Sequence, residues 1–357
     1  MPKTLAHIIL FPFSLLYGLV VQIRNFLYDK KWLKSEKIDI PTICIGNLTV
    51  GGTGKTPHTE FVLSILKNDW KTAMLSRGYK RKTSGFRLAN ELSDASEIGD
   101  EPFQIHRKFP KTLVAVDEKR VRGANELLRN FPDLDVIVLD DAFQHRQIAS
   151  GFSILLTDYS RLYTRDFYLP SGRLRDSKRE SKRADVIIVT KCPNNISESE
   201  MLEIQSEINP QKNQTLFFST YEYKNFMPVF PEKAEKTVEL NADFGILILA
   251  GIVSPQAIVE HLKQYTTQIE TLFFPDHHNF TKKDIALLQK KFNSLNAKEK
   301  LIVVTEKDAT RLLSIDYPDE LKSATFALPI EVKILNKNST IFTEKIQDYV
   351  RKNSRNG

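Results

Sequence analysis

The stretch Thr49-Val50-Gly51-Gly52-Thr53-Gly54-Lys55-Thr56 constrains this chain more than any other. It follows an apolar run at 40–45 and precedes helical spacing at Phe61, Val62, Ile65 and Leu66. A strand, a glycine-rich loop and a helix are the setting a phosphate-binding P-loop needs. Glycines let backbone N–H groups close around phosphate oxygens, and the helix N-terminus adds partial positive charge. Lys55 is placed to reach the β- and γ-phosphates, and the Thr56 hydroxyl to ligate Mg²⁺. A strict pattern has glycine five residues before Gly54, where Thr49 stands, but the GGTGKT core is intact. A plain glycine turn would explain neither the Lys-Thr pair nor the flanking elements. We therefore assign residues 49–56 to nucleotide phosphates.

Around this loop, strand-like apolar runs at 42–45, 72–75, 112–116, 136–139, 153–156 and 186–189 alternate with helical segments near 58–67, 101–108, 119–130 and 198–207. Near-continuous apolar strands suit a parallel sheet covered on both faces. The predicted class is α/β, doubly wound, with a mostly parallel P-loop NTPase-like sheet. A second strand–helix series follows, with strands at 245–250, 271–274 and 301–304. Its helices start at Ser254-Pro255 and Thr281, the latter with Asp284 in the capping-box position. A chain of 357 residues exceeds one comfortable core. The expected organisation is an N-terminal helix over 1–30, a core domain over 31–225, a linker over 226–240, a smaller α/β domain over 241–350 and a frayed tail over 351–357.

Residues 4–23 hold no Asp, Glu, Lys or Arg, and Arg24, Lys30 and Lys31 follow. The length just spans a bilayer, but His7, Pro12, Ser14 and Gly18 dilute it. Three readings stand: a helix lying in the membrane interface, a core-packed helix, or a true span. The basic flank favours the cytoplasmic side in either membrane case. A net charge of +7 fits an anionic partner. Cys44 and Cys192 adjoin apolar runs, which excludes a disulfide framework and fits a reducing compartment.

The run 136–139 ends in Asp140-Asp141, as a Walker B strand does when its acid faces Mg²⁺; the alternative is that these acids cap the next turn. Gln144 and His145 follow on the face where ligands bind. Asp100-Glu101 sit at a loop-to-helix junction, where Asp100 is either an N-cap or a general base, with Glu101 a metal contact. His277 and His278 adjoin after a strand, and no further Cys/His spacing supports zinc. Residues 161–183 hold eight Lys/Arg against three acids and include Arg173, Arg175 and Asp176. Guanidinium forks suit phosphate, and a solvated basic face is the plain alternative. Arg77 lies in a second basic loop. No RNA- or DNA-binding motif accompanies either, so no nucleic-acid partner is expected. Thr305-Glu306-Lys307-Asp308 is either a purine-reading loop or a helix cap.

Taken together, residues 46–57, Ser76-Arg77-Gly78-Tyr79, Gly99-Asp100-Glu101-Pro102, 140–145, 169–175, Phe274-Pro275-Asp276-His277-His278 and Thr305-Glu306-Lys307-Asp308 keep the order seen in one family. The chain resembles the tetraacyldisaccharide 4′-kinases of lipid A synthesis. The resemblance implies transfer of the ATP γ-phosphoryl group to the 4′-hydroxyl of a tetraacyl disaccharide 1-phosphate, an anionic glycolipid, at the cytoplasmic face of the bacterial inner membrane. It implies catalytic roles for Lys55, Asp100 and a histidine, His277 as the better match with the adjacent His278 as the alternative. It also implies ATP contacts from residues 49–56 and from Thr305, Glu306, Lys307 and Asp308, and Mg²⁺ held by Thr56, Glu101, Asp140 or Asp141. Substrate contacts are implied for Arg77, Gln144, His145, Arg173, Arg175 and Asp176. The chain departs from the pattern at Ala142, in place of glycine, and at Asp176, in place of glutamate. A soluble small-molecule P-loop kinase or GTPase, or a membrane-bound P-loop switch, are the competing readings of the motifs alone.

Overall fold

The computed structural model describes residues 3–234, 238–336 and 338–354. The chain divides into two compact units. Unit 1 comprises the residues up to 92, 105–221 and those from 332 on; unit 2 comprises 93–104 and 222–331.

Unit 1 is built on a nine-stranded sheet. In chain order its strands are β1 (Thr42–Asn47), β2 (Thr72–Ser76), β3 (Arg87–Leu88), β4 (Leu113–Val116), β5 (Val136–Asp140), β6 (Phe152–Asp158), β7 (Val186–Thr190) and β8 (Thr215–Tyr223). A last strand, Ile330–Ile334, completes it beyond β8, and the spatial order from there is β8-β7-β6-β1-β5-β2-β4-β3. β1 pairs in parallel with β5 and β6, and β3 is antiparallel to its neighbour β4. All six β1 residues are buried. Ile43 and Ile45 enter one core while Cys44 enters the other, the period-two division of a sheet covered on both faces.

Helix α1 (Lys3–Asp29) belongs to this unit, as do α2 (Lys55–Leu66), α4 (Arg120–Asn130) and α5 (Glu198–Ile208). Helix α3 runs Asp100–Lys108. The C-terminal helix Ser339–Asn353 also packs into unit 1. Its Phe342 stacks on Phe61 (5.4 Å between centroids) and meets Phe217 edge-on (5.4 Å). The expected second domain over 241–350 therefore loses its C-terminal part to the first, and it gains 93–104. The expected tail is helical through Asn353, with 355–357 outside the described residues. The linker expected at 226–240 includes a short strand, Met227–Pro228, and its residues 235–237 also lie outside the described residues.

Unit 2 carries a five-stranded sheet with the fully buried strand Phe244–Ala250 between Ile269–Phe273 and Glu299–Val304, both parallel to it. Helix Lys282–Ser294 starts at Thr281 with the reciprocal Thr281–Asp284 capping box that the sequence predicts.

Candidate active site

The phosphate loop emerges where β1 ends. Gly51 (φ 109°) and Gly54 (φ 84°) take the left-handed conformation that disfavours any side chain, and a Cβ on Gly54 would also run into the Tyr221 hydroxyl. Asn47 closes the loop from below by donating to the Thr53 hydroxyl at 2.8 Å. The loop entrance pairs with the arginine segment: Val50 N donates to the Arg173 carbonyl (2.7 Å), and Arg175 N to the Leu48 carbonyl (2.9 Å). Two segments far apart in the chain thus become one ribbon. This pairing places the Arg173 guanidinium over Gly51.

Asp140, 1% exposed, ends β5 and accepts from the Thr59 (3.0 Å) and Ser76 (3.4 Å) hydroxyls. Asp141 follows in a left-handed conformation (φ 46°), which turns its carboxylate toward Lys55 at 3.7 Å and into an ion pair with Arg175. Burial would raise the Asp141 pKa, but Lys55 and Arg175 outweigh it and hold the carboxyl at about 2. Arg175 also donates to Asn47 Oδ1 at 2.6 Å, and Gln144 donates to the Asn47 carbonyl at 3.3 Å. Burial, helped by the charge of Arg120, pulls the His145 imidazole down to about 4, so it is neutral at pH 7. Arg77 is close enough to act on both His145 and the buried Arg120. Gln144, His145, Arg77, Arg173 and Arg175, spread over three sequence segments, are therefore gathered around Asp141 and the phosphate loop.

Asp176 is different. It is fully buried and bonded to Asn25 of α1 (2.7 Å), with Arg24 at 3.3 Å. Its carboxylate fastens α1 to the arginine segment, which corrects the expected substrate contact. In the basic run 161–183, Arg161, Arg165, Arg173, Lys178, Arg179 and Lys182 are exposed, as a solvated basic face would be; within it Arg161 pairs with Asp166, and Arg165 with Glu207 from α5.

In unit 2, Asp100 opens α3. Asp100 is the first residue inside α3 rather than the one before it, so it does not occupy the N-cap position; Asp94 caps the separate short helix Ala95–Ile98. Asp100 Oδ2 accepts from Arg311 Nε (2.9 Å) and lies 3.5 Å from His277 Nδ1. Burial pushes its pKa up, but the His277 bond and the Arg311 charge prevail and hold it below the ordinary value. His277 sits in a strained left-handed turn (φ 59°). His278 instead stacks on Phe274 (4.3 Å) and meets Asp284 at 3.0 Å, so it serves the next helix cap. His277, not His278, stands beside Asp100. Glu101 lies 3.5 Å from Lys307 Nζ, which also reaches Asp276 (3.2 Å) and His277 (3.1 Å).

Burial favours the helix-cap reading of Thr305-Glu306-Lys307-Asp308 at Asp308, while Thr305, Glu306 and Lys307 are half-buried. Thr305 caps helix Glu306–Leu312. Asp308 is 0% exposed and fully committed to Thr305, the Gly251 amide (3.0 Å) and Arg311 (2.7 Å). The cap builds a support, in which Asp308 orients Arg311 and Arg311 orients Asp100. Arg311 escaped the sequence reading because its only signal is its spacing of three from Asp308.

Among the described residues no three His, Cys, Asp or Glu side chains gather as a metal cluster. Mg²⁺ ordinarily needs only one or two carboxylates, with phosphate oxygens and water completing the shell. Thr56, Asp140 and Asp141 belong to unit 1, and Glu101 to unit 2.

The family model for tetraacyldisaccharide-1-P 4′-kinase matches residues 6–351. The chain belongs to this family. A tetraacyldisaccharide 4′-kinase of Bacteroides thetaiotaomicron is 48% identical over 98% of this chain and 95% of the relative. One from Flavobacterium johnsoniae is 44% identical over 97% of each. The crystal structure of LpxK from Aquifex aeolicus in complex with ATP shares the fold, with a TM-score of 0.72 and 26% identity. That match covers 96% of this chain and 99% of that one. The 4′-kinase family thus accounts for the P-loop-like sheet, and the chain is an ATP-dependent kinase.

Proposed function

We propose that this chain transfers the γ-phosphoryl group of ATP to the 4′-hydroxyl of a tetraacyl disaccharide 1-phosphate in lipid A synthesis. The observation that carries this reading is an intact phosphate cradle, backed by Asp141 and Lys55, in a chain that matches the 4′-kinase family from residue 6 to 351. Residues 49–56 cradle the ATP phosphates through backbone N–H groups. Lys55 exchanges its Asp141 partner for a phosphate oxygen and neutralises charge there. Asp100, oriented by Arg311 and beside His277, accepts the hydroxyl proton as the 4′-oxygen attacks the γ-phosphorus and ADP departs. Thr56, Asp140 and Asp141 of unit 1 are the residues that would hold Mg²⁺, which would offset charge on the β- and γ-phosphates. Arg175 and Arg173, with Gln144, His145 and Arg77, are positioned to hold the sugar and its 1-phosphate.

The lipid reading extends to α1. One side of the helix is fixed to unit 1: Ser14 accepts from Ser171 N (2.9 Å), Tyr17 donates to the Arg175 carbonyl (3.1 Å), and Gly18 lies against the Tyr168 ring. The other side exposes Phe13, Leu15, Leu16, Leu19, Val20 and Ile23, each by half or more. The stretch Ile9–Asp29 is long and apolar enough to cross a membrane. Its fixed face, however, suits a helix lying shallowly in the cytoplasmic leaflet, with Lys30, Lys31 and Lys34 beside anionic headgroups. The deciding experiment incubates the full chain with labelled ATP, Mg²⁺ and a tetraacyl disaccharide 1-phosphate in detergent micelles. A product with one added phosphate at the 4′ position is expected. ATP turnover without lipid phosphorylation would overturn the proposal.

A further inference from the structure

The phosphate loop is gripped from outside by the residues that end β7. Thr190, fully buried, donates its hydroxyl to the Thr53 carbonyl at 2.9 Å. Lys191, the next residue, donates its ammonium to the Gly52 carbonyl and lies 2.7 Å from Asp158 Oδ2. Two successive carbonyls of the loop are thus held by two successive side chains of one strand end. We propose that Lys191 is a positioning residue for the kinase reaction, one that holds the phosphate loop open to anions by keeping the Gly52 carbonyl turned away from them.

The physical case starts from the loop itself. A phosphate cradle works because N–H dipoles face inward; a carbonyl turned inward would set its partial negative charge against phosphate oxygens. Gly51 and Gly54 make this loop easy to bend, and the same freedom lets its peptides rotate. A donor fixed outside the loop removes that freedom. Lys191 suits the task for two reasons. Asp158, on the adjacent strand β6, holds the ammonium in place, and both side chains are largely shielded, at 28% and 18% exposure. The Lys191 backbone is itself left-handed (φ 59°), a conformation that is strained for a non-glycine residue. No glycine or asparagine stands here to relieve it. A strained lysine retained where its amine meets the phosphate loop points to work done by that amine.

This inference rests on the reading of residues 49–56 as the ATP cradle, and the experiment separates the two. ATP binding by the full chain is measured calorimetrically with Mg²⁺ for the wild type, Lys191→Gly, Lys191→Arg and Lys55→Ala, together with kcat and the KM of each substrate. Glycine accepts φ 59° without strain, so Lys191→Gly deletes the amine while sparing the fold, which an unchanged or raised Tm verifies. The expected result is a tenfold to hundredfold loss of ATP affinity in Lys191→Gly, the range for one lost hydrogen bond from a charged donor. The KM for lipid should stay within twofold, and Lys191→Arg should recover part of the loss. ATP affinity within twofold of wild type in Lys191→Gly, beside a clear loss in Lys55→Ala, overturns the role of Lys191 alone. Wild-type ATP binding by Lys55→Ala overturns the cradle assignment itself.

Discussion

Replacing Arg311 with methionine should destabilise the protein by about 3–5 kcal/mol, the usual loss when one member of a buried ion pair is removed. The Arg311 side chain is 4% exposed and that of its partner Asp308 is fully buried; they meet at 2.7 Å. Burial already raises the Asp308 pKa, and Arg311 is the largest influence opposing it. Methionine fills much of the space of the arginine stem, so the loss is mainly electrostatic rather than a cavity effect. It comes from an uncompensated carboxylate next to the Gly251 amide and from Asp100 losing its Arg311 donor. Adding Asp308→Asn removes the orphaned charge, so the double variant should regain at least half of the lost stability, with a double-mutant cycle reading the coupling. Urea unfolding of the full chain is the assay. Both tryptophans, Trp32 and Trp70, lie in unit 1, so their fluorescence monitors that unit while far-UV circular dichroism also reports unit 2. A loss below 1 kcal/mol for Arg311→Met, or a double variant no more stable than the single one, would refute the account of Asp308–Arg311 as a buried support.

His58 is fully buried and neutral. Its Nδ1 lies 2.8 Å from the Gly54 carbonyl and Nε2 3.0 Å from the Ser219 hydroxyl, and burial lowers its pKa from 6.5 to about 4. Below pH 6.5 the unfolded chain binds a proton that the folded one refuses. Up to about 3 kcal/mol of stability present above pH 6.5 should therefore be lost as pH falls toward 4. The acid limb of the urea midpoint should flatten in His58→Gln. Arg175→Ala should raise the lipid KM much more than the ATP KM, with lysine rescuing only in part because it loses the fork; a lowered kcat at unchanged lipid KM would place Arg175 on the transferring phosphate instead. Leu16→Glu with Leu19→Glu, on the exposed side of α1, should abolish liposome flotation while leaving ATP affinity unchanged; retained flotation would locate the membrane contact elsewhere.

What the chain alone determined is whatever lies within a few residues of itself. The phosphate loop was legible because its glycines, Lys55 and Thr56 are contiguous and both flanking elements announce themselves by period. The Thr281–Asp284 cap and the central strands of both sheets were legible for the same reason, since burial on both faces leaves an unbroken apolar run, whereas Thr215–Tyr223, Ile330–Ile334 and Thr325–Ala327 went unread. Tertiary structure decided every question that turned on a distant partner. Identical local patterns serve a purine-reading loop and a helix cap, and only the burial of Asp308 against Gly251 and Arg311 favours the cap. His277 and His278 are chemically alike and adjacent, yet one backbone turn sends the first to Asp100 and the second to Asp284. The C-terminal helix went to unit 1 because Phe342 finds Phe61 and Phe217, which no composition shift marks. Asp176 became a buried fastening for α1 because Asn25 reaches it across the fold. Local periodicity records which face of an element is apolar, whereas the identity of what covers that face is set only when the whole chain packs.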